Sequence, residues 1–328
     1  MPHLSEKAAV AAGAATDIAP SEADIASMAE ATIARGSQSF AAAAKLFDPV
    51  TRQGAMLLYA WCRHCDDVVD DQDLGFQRDY AADTSPQERI AGLDALTRSA
   101  FAGEAVVDPA FQALQIVVRR HGIPLGMALD HLDGFRMDVD ERHYQTVEDL
   151  LDYCHHVAGV VGEMMSMVMG VRDAATLQRA ADLGLAFQLT NIARDIVPDA
   201  RVGRVYVPAE WLNDLGMDAA DIVTPECRPE VALLAARLVA LAEPYYASAR
   251  IGVDALPRRS AWAVATALGV YREIGLRVVS LGHRAWDGRV STSKADKLGH
   301  VARAALIAFG PRRGRKPARA IGLWQHAD

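Results

Sequence analysis

The sequence predicts an all-α protein, and three observations carry that expectation. Alanine and leucine abound while aromatic residues make up only 6% of the 328 residues, a composition that favours helix over sheet. Apolar residues return at three- and four-residue steps through most of the chain, often behind a Ser, Thr or Asp suited to capping a helix. No segment alternates with the two-residue period of a half-buried strand.

In chain order, residues 1–20 are Ala-rich without an apolar period and are expected to form a disordered leader. The helical domain is expected over residues 21–305, opening with SEADIASMAEATIARG. GSQSF, Gly36 to Phe40, precedes a helix-like stretch, where Ser37 and Ser39 either cap that helix or hold phosphate at its start. TRQGAMLLYAWCRHCDDVVDD, SPQERIAGLDALTRSAFAG and ATLQRAADLGLAFQLTNIARDIV continue the helical period. LLDYCHHVAGVVGEMMSMVMG and SAWAVATALGVYREIGLRVVSLG are apolar nearly all round, which places them in a core or beside a large apolar cavity. No repeat or low-complexity linker divides this region, so one domain around one core is expected despite its length. Residues 306–328 read as a basic tail with Arg312, Arg313, Arg315, Lys316 and Arg319 ahead of a Leu-Trp pair. Such a run is either solvated or rests on an anionic bilayer, so peripheral contact with the cytoplasmic face of a membrane is one reading.

A net charge of -8 argues against a nucleic-acid partner, which needs a basic stripe along the phosphates. The absence of a long apolar run, and of a cationic start followed by one, argues against a membrane-spanning or secreted chain. Four scattered cysteines do not make a disulfide framework and fit a reducing cytoplasm.

Chemistry concentrates in two stripes. In LLYAWCRHCDDVVDD, Asp66 and Asp70 stand four apart on one helical face, with Arg63 and Tyr59 on the preceding turns. Alone, this is either a solvated helix end or a site for a hard cation such as Mg²⁺. In FQLTNIARDIVPDARVGRVY, Gln188, Asn191, Asp195 and Asp199 again share one face, at steps of three, four and four. Pro198 disfavours helical geometry at Val197, so the helix is expected to end or kink there, with Asp199 in the first loop turn. Arg201, Arg204 and Tyr206 follow, with Gly203 as a flexible point, and read as a flap able to close over an anion. Carboxylates from both stripes around one cavity repel unless divalent ions lie between them. Such ions grip a diphosphate, stabilise its departure, and leave an allylic carbocation for an apolar cavity to protect.

Other residues carry weaker signals. Cys62 and Cys65 make a CxxC without a second pair at zinc spacing. Tyr271 is either a core tyrosine or a ligand contact. His155 and His156 receive no role.

At the two stripes, YAWCRHCDDVVD and LGLAFQLTNIARDIVPDARVGRVYVP, the sequence resembles the squalene and phytoene synthase family, bacterial members above all. The resemblance runs through SQSF, RMDVDERHYQTVEDLLDYCHHVAGVVGEMM, LPRRSAWAVATALGVYREIG and AWDGRVSTSKADKL, roughly Ala23 to Leu298. It implies the isoprenoid synthase fold around a central apolar cavity, with the acidic motifs on opposite walls. Asp66 and Asp70 match the first metal motif and Asn191, Asp195 and Asp199 the second. Diphosphate contacts are implied for Ser37, Ser39, Arg63, Arg194, Arg204 and Tyr271, with Tyr59, Gln188 and Tyr206 nearby, and cavity positions for Phe40, Gly159 and Gly162. The implied activity is head-to-head condensation of two geranylgeranyl diphosphates, through prephytoene diphosphate, to 15-cis-phytoene with release of two diphosphates. It needs Mg²⁺, or Mn²⁺ in its place, and no NADPH, because the product forms by proton loss.

The rivals are a relative acting on farnesyl diphosphate, a terpene cyclase, and an inactive prenyl-lipid binding protein. Cavity depth separates the first from the family's longer-chain members; the long C-terminal blocks argue against the second. The two acidic stripes with a basic flap argue against the third.

Overall fold

Prolines and capping side chains set where the helices of the computed structural model begin. The structure describes residues 21–36, 43–70, 72–73, 76–77, 84–311 and 317–326. Helix α1 spans Glu22–Gly36. Helix α2, Pro49–Val69, starts behind Asp48, whose carboxylate accepts from the backbone N–H groups of Val50 and Thr51 at 3.1 and 3.0 Å, with Pro49 in the first turn. Ser85 and Glu88 form a reciprocal capping box at the start of α3, Pro86–Ala102, which ends on Gly103 at φ 78°. Asp108 caps α4, Pro109–His121, and α5 follows over Leu125–Val139. Helix α6, Val147–Cys154, passes through one π-helical turn, His155–Gly159, into α7, Val160–Val168. The 28-residue α8, Ala174–Arg201, precedes α9 (Ala209–Asp214), α10 (Arg228–Gly252), α11 (Arg258–Leu281) and α12 (Lys294–Phe309).

Burial of the apolar faces divides the interior. One core joins α6, α8, α10 and α11 through Leu151, Leu185, Leu189, Leu238, Tyr246 and Ile274. A second joins α1, α2, α4, α5 and α7 through Ile33, Trp61, Leu114, Leu132 and Met164. A smaller one ties α11 and α12 to Phe47 and Val253. Each fully buried leucine contributes roughly 1.5–3 kcal/mol relative to exposure. Helices α7 and α8 approach closely because glycines face backbone: a Cβ on Gly162 would lie 2.4 Å from the Ala180 carbonyl oxygen, and one on Gly184 2.2 Å from that of Ala158. Any larger residue at either position would force the two helices apart.

The all-α expectation holds, and among the described residues the one departure is a two-residue antiparallel ladder pairing Gln72–Asp73 with Phe76–Gln77. Two expectations are corrected. Helix α8 does not end at Pro198 but runs on to Arg201. The boundary drawn at residue 306 falls inside α12, and the described part of the C-terminal segment is not a solvated run. The Arg319 guanidinium grips the fully buried Asp182 carboxylate at 2.7 and 3.0 Å, and Arg179 donates to the Pro317 carbonyl at 2.6 Å. Arg319 is drawn inward because the buried Asp182, to which Ser248 also donates at 2.5 Å, needs a cation. The leader, Arg312, Arg313, Arg315 and Lys316 lie outside the described residues. Among the described residues no helix is long and apolar enough to cross a membrane.

Candidate active site

A cavity of about 440 Å³ opens between α2, α7, α8, α10 and α11. Val161, Met165, Leu183, Val264 and Val270 give it apolar walls, and Tyr59, Gln188, Asn191 and Tyr271 add polar groups. The Phe187 and Tyr271 rings stack at 4.3 Å, which fixes the tyrosine against α8. Tyr59 and Asn191 lie on the same helix faces as the aspartates, so each stripe runs from the cavity toward the C-terminal end of its helix.

On α2, Arg63 reaches Asp66 at 3.0 Å and Asp67 at 2.6 Å. Asp70 is the residue that caps the helix, its own N–H donating to the Asp66 carbonyl at 3.0 Å. On α8, Arg194 Nε donates to Asp195 Oδ1 at 2.9 Å and Nη2 engages Oδ2, while Arg289 approaches Asp195 at 3.9 Å. Proline at 198 removes the N–H that would bond to the Arg194 carbonyl. The Trp286 indole N–H donates to that carbonyl instead, at 3.0 Å, so the helix continues and Asp199 stays in register with Asp195.

The flap has a defined turn. Gly203, at φ 83°, lets the N–H of Arg204 bond to the Asp199 carbonyl at 2.9 Å and its own N–H to that of Ala200 at 3.1 Å, the double closure of a Schellman motif. This turn sends the Arg204 side chain across to α2, where it forks onto both oxygens of Asp70, Nη1 to Oδ2 at 3.3 Å. One arginine thereby links the two walls.

Sequence reasoning missed Asp67 and Asp138. Asp138, on α5, accepts from the hydroxyls of Tyr153 and Tyr206 at 3.1 Å each, and those two rings stack at 4.8 Å. Spacing could not single it out, because Asp133 and Asp140 beside it look the same in sequence. Of the expected cavity glycines, Gly162 lines the cavity, whereas Gly159 sits in the packing seam between His155 and Leu185. Ser37, Ser39 and Phe40 lie outside the described residues. The CxxC builds no metal site among the described residues: Cys65 is buried in the second core, and burial pushes the Cys62 thiol up to about 12.

Electrostatics at the mouth is unbalanced. Desolvation, reinforced by Asp70 and Asp67, raises Asp66 to about 6 although its carboxylate still reaches solvent. Burial and then Asp195 raise Asp199 to about 7, and burial raises Asp138 to about 6. Both stripes also end at helix C-termini, where the macrodipole disfavours anions. The site therefore holds more negative charge than Arg63, Arg194 and Arg204 neutralise, and its donors are oxygens. That combination can accept hard divalent cations. Among the described residues no three of these carboxylates come within ligating reach of one another.

A family profile described as squalene/phytoene synthase matches residues 33–296. The chain belongs to the squalene/phytoene synthase family. Among relatives, a phytoene synthase of Pseudescherichia vulneris is 54% identical over 294 residues, covering 90% of this chain and 95% of its own. A 15-cis-phytoene synthase of Pantoea ananas is 53% identical with the same coverage. Among solved structures, a dehydrosqualene synthase in complex with ligand superposes with a TM-score of 0.77 at 26% identity, covering 86% of this chain and 96% of that one. A squalene synthase from Alicyclobacillus acidocaldarius gives 0.68 at 25% identity, covering 80% and 94%. Family membership makes the protein a prenyltransferase-type enzyme, and the neighbours share its isoprenoid synthase fold.

Proposed function

We propose that the protein is a 15-cis-phytoene synthase that joins two molecules of geranylgeranyl diphosphate head to head, in carotenoid biosynthesis. The carrying observation is an apolar cavity that leads to two acidic stripes linked by a basic flap, in a chain more than half identical to curated enzymes of that name.

In this reading Asp66 and Asp70 on α2, and Asn191, Asp195 and Asp199 on α8, hold Mg²⁺, with Mn²⁺ as the alternative ion. When bound, the ions neutralise charge on the departing diphosphates. Arg63, Arg194, Arg204 and Tyr206 orient those diphosphates through charge-assisted and hydroxyl hydrogen bonds, helped by Tyr59, Gln188 and Tyr271. Arg204 exchanges Asp70 for a phosphate oxygen as the flap closes. Asp138 holds the Tyr153 and Tyr206 hydroxyls in place and so sets the position of the flap. The apolar walls keep water from the allylic cation while it alkylates the second substrate to a cyclopropyl diphosphate. The same walls shield the second ionisation, rearrangement and proton loss, so no NADPH is consumed. Small residues along the cavity, Ala158, Ala180 and Ala267, widen its apolar walls, and the twenty-carbon chain length rests on the likeness to the 15-cis-phytoene synthases. A peripheral membrane seat accords with the exposed Leu298, Leu306 and Phe309 of α12, the helix that also lends Lys297 and Val301 to the cavity.

The test is incubation of purified protein with labelled geranylgeranyl or farnesyl diphosphate, with Mg²⁺ or EDTA and without NADPH, followed by mass analysis of the extracted hydrocarbon. A forty-carbon phytoene formed only with the ion is the expected result. A thirty-carbon product assigns the enzyme to the squalene-type branch, and no condensation with either substrate refutes the reading.

A further inference from the structure

A second cluster of chemistry-bearing side chains lies where the C-terminal segment crosses the π-helical turn. His155 and His156 open that turn, and His326 reaches them from the far end of the segment. The His326 ring stacks on His155 at 4.5 Å between centroids and meets His156 edge-on at 5.1 Å. One ligating nitrogen from each of the three lies within 4.8 Å of the other two, the one group of its kind among the described residues.

Adjacent histidines on an ordinary α-helix diverge too far to serve one site. A π turn, with its i to i+5 bonding, packs more residues into a turn and narrows that angle. His155 and His156 are 6% and 8% exposed, yet His156 Nδ1 has no hydrogen-bond partner. A buried imidazole nitrogen left in that state carries an uncompensated desolvation cost. Asp152, one turn earlier on α6, places Oδ1 3.8 Å from His326 Nδ1.

We propose that His155, His156 and His326 bind one borderline transition-metal ion, with Zn²⁺ the best fit, and that Asp152 or a water supplies the fourth ligand. Nitrogen donors suit Zn²⁺ and its neighbours and not Mg²⁺, so this site differs in kind from the all-oxygen mouth. Tetrahedral Zn–N bonds of about 2.1 Å set the nitrogens roughly 3.4 Å apart, so nitrogens now within 4.8 Å of one another must close by up to about 1.4 Å, and the His326 ring must turn out of its near-parallel stack on His155, because imidazole lone pairs lie in the ring plane. His326 is the least buried of the three rings and so the one with most room to turn. The ion would staple the segment, already held by Arg319 on Asp182, to the turn whose next residues, Val157 and Ala158, line the cavity.

The test uses the full chain, stripped with EDTA and held in excess Mg²⁺, titrated with Co²⁺ as a spectroscopic substitute and then with Zn²⁺. The expected result is one Co²⁺ per chain with the intense visible bands of a tetrahedral nitrogen site, displaced by Zn²⁺. In His326→Ala, affinity should fall by at least an order of magnitude with the bands lost, and Zn²⁺ should raise Tm in the wild type only. His156→Gln should reproduce the loss, and circular dichroism of both variants should match the wild type. Absence of tetrahedral bands in the wild type, or identical titrations of wild type and His326→Ala, overturns the proposal.

Discussion

The two acidic walls use the same four-residue spacing and hold it in different ways. On α2 the stripe ends with its helix: Asp70 caps the last turn, and Arg63, on the same helix, serves Asp66 and Asp67. On α8 the stripe runs through a proline, and its register past Arg194 depends on Trp286, ninety-odd residues away, taking over the orphaned carbonyl. The first wall is therefore a local construction and the second a tertiary one. Arg204 joins them, leaving the Schellman turn after α8 to grip Asp70 on α2. A site whose two halves must admit and release ions and diphosphates gains from this asymmetry, because one wall is rigid by itself and the other carries the flap.

The comparison is sharpest for the aspartates. Asp195→Asn should reduce turnover by roughly 10³-fold, the size expected when a preorganised charge at a leaving group is lost. Helical content and Tm should stay close to wild type, and unimpaired turnover would remove Asp195 from the proposed metal ligands. Arg204→Gln should cost about 10²-fold in kcat/KM. In a double-mutant cycle with Asp70→Asn the two losses should be non-additive, whereas additive losses would break the link between the walls. Smaller still is the effect of Ala267→Phe, which fills the cavity and should shift preference from geranylgeranyl toward farnesyl diphosphate by about tenfold.

Trp286→Phe keeps an aromatic side chain but deletes the donor and part of the ring volume, so the Arg194 carbonyl loses its partner at a cost of about 1–3 kcal/mol, read as a lowered urea midpoint. Turnover should fall only a few-fold, and an unchanged midpoint would show that α8 holds its register without Trp286. The gentlest effect is that of pH on the metal-free chain. Asp66, Asp138 and Asp199 have folded-state values of about 6, about 6 and about 7, above the ordinary 3.8, so the folded state binds more protons than the unfolded one in between. The buried histidines His131, His155 and His156, held below the ordinary 6.5, act in the opposite sense, so the aspartate contribution is read as wild-type stability minus that of Asp199→Asn; this difference should fall as pH rises from near 3.8 to about 7 and level off above, and added Mg²⁺ should flatten the slope. A difference that grows over that interval in the metal-free chain would contradict the excess of buried negative charge.

Much of the site was legible because helical periodicity is a local property. Asp66 with Asp70, and Gln188, Asn191, Asp195 and Asp199, announce shared faces by spacing alone. Asp138 was not legible, since its distinction is two tyrosine hydroxyls contributed by other elements. Pro198 misled for a related reason: the rule that a proline ends a helix assumes an unsatisfied carbonyl, and Trp286 satisfies it. The basic tail misled as well, because a charge run reads as solvated until a buried Asp182 is found beneath Arg319.

The sequence by itself determined the helices, their caps, the two stripes and the class of reaction they serve, since each follows from residues within one or two turns of one another. Tertiary structure alone decided that Arg204 bridges the walls, that Trp286 carries α8 through its proline, that Asp138 anchors two tyrosines, and that His326 meets His155 and His156. Each of these joins groups far apart in the chain, and their proximity exists only after apolar burial has chosen which helix faces meet.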